Sequence, residues 1–67
     1  MELSTRNQLQ GTVQSVRLGT IMAEVVVDVG GQQVVAAVTR GGVEHLGLAE
    51  GDAVTVLIKA TEVMLGK

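Results

Sequence analysis

The chain of 67 residues contains no cysteine and no aromatic residue. Without cysteine it forms no disulfide and no thiolate metal site, and its single histidine, His45, cannot hold a structural zinc ion alone. A domain of this size buries only ~60% of the surface of its unfolded chain. Small domains usually gain stability from disulfides, metals or association, so association between copies is the option that remains.

Basic residues are also few. The five lysines and arginines are scattered at positions 6, 17, 40, 59 and 67, and the net charge is −2. Nucleic-acid-binding proteins usually show a basic stripe, with stacking aromatics where they bind single strands, so we expect no nucleic acid partner. There is neither an apolar run of ~18 residues nor a secretory leader. We therefore expect a cytoplasmic protein with no membrane partner.

Hydrophobic residues nevertheless make up 46% of the chain. Because none is aromatic, the core must be built from many small, mostly β-branched side chains. Residues 34–38 are apolar on both faces of a predicted strand. One face can serve the core of the monomer, and the other is expected to meet a partner chain.

Alternation of apolar and polar residues predicts five strands and one short helical turn. The predicted strands are residues 9–18, 22–29, 33–39, 53–59 and 62–65, and the predicted helical turn is residues 43–46. This order is that of an all-β fold, a small OB-like Greek-key five-stranded barrel with one short helix between strands 3 and 4. It predicts a single domain over residues 1–67, and a fold of this kind does not by itself imply nucleic acid binding.

Glycines indicate where the backbone turns or is approached closely. Gly30 and Gly31 predict a tight hairpin turn, and Gly47 is expected to end the helical turn. Gly11, inside the first strand, indicates a bulge, a bend or a close backbone approach. Regular alternation along that strand places Val13 and Val16 on opposite faces.

The most polar stretch of the chain is Ser4-Thr5-Arg6-Asn7-Gln8. It offers two hydroxyls, two amides and one guanidinium, a donor set that suits a small anion with several oxygens. A solvated N-terminus is the alternative interpretation. The anion hypothesis therefore depends on a second group of donors elsewhere in the chain.

Three places could supply those donors. Thr39 ends a strand at a helix start, where the amides of Gly41 and Gly42 could bind an anion or simply form a turn. Lys59 closes an apolar strand, and its alternative role is a strand-end lysine whose stem covers apolar surface. Arg40 is more typical of a solvated rim charge. Arg6 and Lys59 together would balance the charge of a dianion. The planar guanidinium of Arg6 can donate two parallel hydrogen bonds, and the ammonium of Lys59 acts as a point charge.

Several segments together resemble a known family. They are TRNQL at 5–9 with Gly11, AEV at 23–25, LGL at 46–48, EG at 50–51, IKAT at 58–61 and VM at 63–64. In these segments, over residues 3 to 65, the chain is similar to the Mop-type molybdate-binding domain. In length it resembles the free-standing form of that domain, molbindin.

The resemblance implies an OB-like fold assembled as a hexamer of three dimers, which stores molybdate or tungstate in the cytoplasm. It implies oxyanion sites between subunits, with Ser4, Thr5, Arg6 and Asn7 from one subunit and Thr39, Gly42, Lys59 and Ala60 from the other. Relatives often carry serine at the positions of Gly42 and Ala60, so here a contact would come from the backbone N–H. The metal would be bound only as its oxyanion, without a further cofactor.

These features bear on three possible functions. Reversible capture of molybdate is preferred, and an enzyme is not expected because no nucleophile–base pair is evident. A structural or regulatory oligomerisation domain without a storage role is the second hypothesis. An OB-type nucleic acid binder is the third, and the missing aromatics and the acidic balance argue against it.

Overall fold

A computed structural model describes residues 4–67, so the first three residues of the predicted 1–67 domain lie outside the described part. The elements are β1 (Asn7–Leu18), β2 (Met22–Val29), β3 (Gln32–Thr39), α1 (Arg40–Leu46), β4 (Ala53–Ile58) and a 3₁₀ turn (Ala60–Glu62). The strands form one antiparallel sheet in the order β3-β2-β1-β4. The first four predicted strands are confirmed, each with ends within two residues of the prediction.

The length of β1 organises the sheet. Its first half, from Asn7 to Thr12, pairs with β4, and its second half, from Thr12 to Leu18, pairs with β2. The start of β1 therefore lies beside the end of β4, where Asn7 is opposite Ile58. The other end of β1 lies beside the start of β2, which in turn pairs with the end of β3.

Gly11 marks a close approach of β1 to β2. A Cβ atom at this position would lie 2.5 Å from Val27 Cγ1 and 2.9 Å from the backbone oxygen of Asp28. The bulge in β1 lies three residues further on, at Gln14, where the register with β2 shifts. The bulge turns Val16 to the same face as Val13, so the predicted placement of these two valines on opposite faces is wrong.

The core consists of small side chains, as predicted. Its buried members are Val13, Ala23, Val25, Val27 and Val43, and seven partly buried apolar side chains pack against them. On β3, Val34, Ala36 and Val38 are half-buried while Val35 and Ala37 are exposed. The second apolar face of this strand is thus open to solvent in one chain.

The helix α1 begins earlier than predicted because Thr39 caps it. The Thr39 hydroxyl accepts a hydrogen bond from the N–H of Gly42, which satisfies an amide that lacks a partner within the helix. Gly47 ends the helix with φ of 62°, and Gly30 and Gly31 form the β2–β3 turn with φ of 58° and 85°, as predicted. Within residues 4–67 no helix is long and apolar enough to cross a membrane.

The predicted fifth strand at residues 62–65 is wrong for the single chain. After β4 the backbone makes the 3₁₀ turn and then continues through Val63, Met64 and Leu65 without a strand partner in residues 4–67. Met64 is 92% and Leu65 95% exposed. The sheet is consequently open between β3 and β4, and the barrel that the sequence predicts is not closed by one chain.

Candidate anion-binding site

A surface depression of about 420 Å³ lies where the start of β1 meets the end of β4. It is lined by Ser4, Thr5, Arg6, Asn7, Lys59, Ala60 and Thr61. The N-terminal donor stretch and Lys59 therefore come together in space, although they are more than fifty residues apart in sequence. Six of the eight predicted site residues lie here.

The carbonyl oxygen of Ile58 joins the two segments. It accepts a hydrogen bond from the Thr5 hydroxyl at 2.8 Å and another from the Asn7 side-chain amide at 2.9 Å. The Thr5 oxygen in turn accepts from the backbone N–H of Asn7 at 3.3 Å. A hydroxyl has one hydrogen to donate, so Thr5 holds the wall of the depression, while Asn7 keeps a second amide hydrogen.

Gln8 fixes the turn that precedes β1. Its side-chain amide donates to the backbone oxygen of Thr5 at 2.8 Å, and its backbone N–H donates to the oxygen of Arg6 at 3.1 Å. These bonds fold the backbone tightly around Arg6, whose side chain stays exposed at the depression. Gln8 thus supports the site without lining it.

The opposite wall begins where β4 ends. The N–H of Glu62 donates to the oxygen of Lys59 at 2.8 Å, which closes the 3₁₀ turn. The amides of Ala60 and Thr61 precede this bond, and the first amides of a helical turn have no partner within it. Ala60 offers no hydroxyl, whereas Thr61 beside it does.

Thr61 was missed as a site residue. Its signal in the sequence is the Lys-x-Thr spacing at 59–61, which belongs to the IKAT segment that resembles the Mop-type family. Alternation along β4 ends at Ile58 and does not predict which of the following residues face the depression. The 3₁₀ turn instead brings Thr61 to the same depression as Lys59.

Thr39 and Gly42 lie elsewhere. Thr39 is opposite Met22 at the far end of the sheet, next to the C-terminal half of β1. Neither residue lines the depression. Lys59 and Ala60, which the resemblance assigns to a different subunit from Ser4–Asn7, line the same depression as that segment within one chain.

The charges at the depression are both positive. Among residues 4–67 the only ion pair is Arg40 with Glu44, at 2.9 Å on the exposed face of α1, so Arg6 and Lys59 form none with the described carboxylates. None of the described lining residues is acidic. By contrast, another depression, beside the β1 bulge, is lined by Asp28 and Glu50. The Arg6–Lys59 depression therefore favours an anion.

Together, the fold and this depression define a small all-β, OB-like domain with a cationic surface site built from two distant segments. Residues 3–65 match the family model described as TOBE domain. The chain belongs to the TOBE domain family, and its resemblance to Mop-type proteins is confirmed by the relatives below.

Three relatives illustrate the similarity. Molybdenum-pterin-binding protein 3 of Clostridium pasteurianum is 42% identical over 66 residues, which cover 97% of each chain. The solved structure of a molybdate-binding protein from Sporomusa ovata superposes with a TM-score of 0.95 at 46% identity, over the whole of both chains. The cytoplasmic molybdate-binding protein ModG superposes with a TM-score of 0.93 at 40% identity, over 98% of this chain and 48% of that one.

Proposed function

We propose that this chain, as a single domain over residues 1–67, binds molybdate or tungstate reversibly and stores it in the cytoplasm, without catalysis. The observation that carries the proposal is the depression in which Arg6 and Lys59 face solvent with no carboxylate among the described lining residues. Two fixed positive charges balance a dianion, and the surrounding donors suit its four oxygens.

We assign roles to six of the lining residues. The planar guanidinium of Arg6 donates hydrogen bonds to two oxygens, and the ammonium of Lys59 acts as a mobile point charge. In this proposal the hydroxyl of Ser4 and the backbone amide of Ala60 bind the remaining oxygens. Thr5 and Asn7 hold the two walls together through the Ile58 carbonyl, and Asn7 can donate its second amide hydrogen as well.

Thr39 and Gly42 are proposed to complete the site from another copy of the chain. They lie at the opposite end of β1 from the depression, so one chain cannot supply both groups to one anion. The Thr39 oxygen accepts from Gly42 N–H at 3.0 Å, which leaves the hydroxyl hydrogen free to donate. The amide of Gly42 is already engaged by this bond, so its role is to orient Thr39. A homo-oligomer, proposed as a hexamer of three dimers, provides the second copy.

The relatives support the choice of anion, of compartment and of a binding role. Proteins described as molybdenum-pterin-binding and molybdate-binding are similar to this chain over nearly its whole length, and ModG is described as cytoplasmic. Their descriptions name a bound ligand and no reaction. Binding rather than catalysis is therefore the function that we propose here.

Calorimetric titration with molybdate in excess sulfate tests the proposal. The parent chain is expected to bind saturably, near or above one anion per chain. Arg6→Ala removes one charge-assisted hydrogen bond, worth ~1.5–3 kcal/mol, and should weaken binding ~10–150-fold. Lys59→Ala should lose a comparable amount.

Two matched variants provide controls. Arg17→Ala removes the same side chain from a residue that lies opposite Glu24 in the β1–β2 ladder, and Lys67→Ala removes a lysine outside the depression. Both should bind within about twofold of the parent. Equal binding by all four variants would refute the site. An oligomer that ignores both oxyanions would instead favour the structural role.

A further inference from the structure

Gln8 binds both peptide groups that flank the Cα atom of Arg6. Its side-chain amide donates to the backbone oxygen of Thr5 at 2.8 Å, and its backbone N–H donates to the backbone oxygen of Arg6 at 3.1 Å. Each peptide group is planar, so the two bonds together restrict both backbone torsion angles of Arg6. Gln8 therefore sets the direction in which the Arg6 side chain leaves the backbone.

Within residues 4–67 no other bond orients the guanidinium of Arg6. The described side-chain bonds of arginine all belong to Arg40, and Arg6 is exposed. Pairing of β1 with β4 begins at Asn7, opposite Ile58, so Arg6 lies just before the sheet. The backbone conformation at Arg6 thus determines where its charge can reach.

The side chain of Gln8 acts on this turn alone. Thr5 and Asn7 tie the segment to the Ile58 carbonyl, so replacing either of them disturbs the wall of the depression. Gln8 is exposed and does not line the depression. Its side-chain bond can consequently be removed while the wall contacts and the lining groups remain.

We propose that Gln8 is a positioning residue for anion binding, which holds the Arg6 backbone in the conformation from which the guanidinium reaches the anion. This role rests on the proposed function of Arg6. If the turn opens, the apparent Kd rises in inverse proportion to the fraction of molecules whose turn is closed. Loss of one neutral hydrogen bond changes such an equilibrium ~2–12-fold.

Gln8→Met tests the proposal in a calorimetric titration with molybdate. Methionine is also long and unbranched but has no N–H donor, so the Kd should rise ~2–12-fold. Circular dichroism of the same samples shows that the variant is folded, which separates weaker binding from unfolding. A Kd equal to that of the parent would overturn the proposal.

Gln10→Met is the matched control, the same substitution two residues further along β1. Gln8 and Gln10 lie on one face of the strand, and both are exposed. The described side-chain bonds of glutamine belong to positions 8, 14 and 33, so Gln10 has none within residues 4–67. Gln10→Met should bind as the parent does, and a loss equal to that of Gln8→Met would overturn the positioning role.

A double-mutant cycle distinguishes positioning of Arg6 from a general structural role. Gln8→Met is combined with Arg6→Ala and, separately, with Lys59→Ala. If Gln8 acts through Arg6, its further loss of affinity disappears in the Arg6→Ala background and stays ~2–12-fold in the Lys59→Ala background. A merely structural role would weaken binding equally in both backgrounds, and that result would overturn the proposal.

The same titrations separate this proposal from the proposed function. Molybdate binding that Arg6→Ala leaves unchanged refutes the site at the depression and, with it, the role of Gln8. Binding that Arg6→Ala weakens, but Gln8→Met does not, refutes only the positioning role.

Discussion

Replacing Gly11 with alanine tests the contact between β1 and β2. The added Cβ would lie 2.5 Å from Val27 Cγ1 and 2.9 Å from the Asp28 oxygen, whereas carbon atoms in good contact are ~3.5–4.0 Å apart. Val27 is 4% exposed and packed in the core, so it cannot withdraw by the ~1 Å needed without moving the strand. Inserting a methyl group into a packed core costs ~1–3 kcal/mol, and we expect a loss of this size in the free energy of unfolding.

Thermal unfolding followed by circular dichroism measures the effect. Each kcal/mol corresponds to ~4–8 °C in Tm for a domain of this size, so Gly11→Ala should lower Tm by at least ~4 °C. All samples need one protein concentration, because association makes Tm depend on it.

Gly41→Ala is the matched control, the same chemical change in open space. Apart from its chain neighbours and the backbone of its own helix, no atom of residues 4–67 lies within 4 Å of the Cβ that it would add, and the residue is in the first turn of α1. Alanine is a better helix former than glycine, so this variant should gain up to ~1 kcal/mol. A Gly11→Ala protein that melts at or above the parent temperature would refute the packing argument.

Three further substitutions each remove one or two local contacts. Thr5→Val removes one of the two hydrogen bonds to the Ile58 carbonyl and the bond from the Asn7 N–H; denaturant unfolding should show a loss of ~0.5–1.5 kcal/mol per bond, and no loss would mean that Thr5 does not hold the wall. Thr39→Ala removes the cap of α1 and should cost ~0.5–2 kcal/mol in the same assay, with Thr39→Ser restoring most of it. Arg40→Ala breaks an exposed pair with Glu44 and an exposed 3.3 Å hydrogen bond to the Gly19 oxygen and should change stability by no more than ~0.5 kcal/mol; a larger loss would show that these contacts matter more than their exposure implies.

The regular strands could be predicted from sequence because each buries one face. Alternating valines defined β2, and Gly30–Gly31 located its turn into β3. The bulge at Gln14 could not be predicted in this way, since a glutamine gives no local signal and the register shift depends on the pairing of β1 with β2. The misplacement of Val16 follows from that bulge.

The fifth strand was mispredicted for a different reason. An apolar pattern at residues 62–65 indicates that these side chains need burial, but it does not say in which chain. In the single chain no neighbouring strand pairs with them among residues 4–67, and the backbone forms the 3₁₀ turn Ala60–Glu62 instead. Pattern alone cannot distinguish burial in one chain from burial between two.

The candidate site was predicted in part. The composition of residues 4–7 indicated an anion, and Lys59 was the matching charge; the structure brings these residues together at one depression. The resemblance already assigns Thr39 and Gly42 to a different subunit from residues 4–7. Their separation from Lys59 and Ala60 could not be foreseen, because it follows from the sheet order and from the length of β1. The internal hydrogen bonds of Thr5 and Asn7 were also beyond sequence reasoning.

The two hydrogen bonds on the Ile58 carbonyl have a consequence for folding order. They join residues 53 and 51 positions apart, so they contribute to a high contact order. Closing so long a loop is entropically costly until the intervening strands have paired. The depression should therefore be among the last features to form and among the first to vanish on unfolding, so that occupancy of the site reports the integrity of the whole sheet.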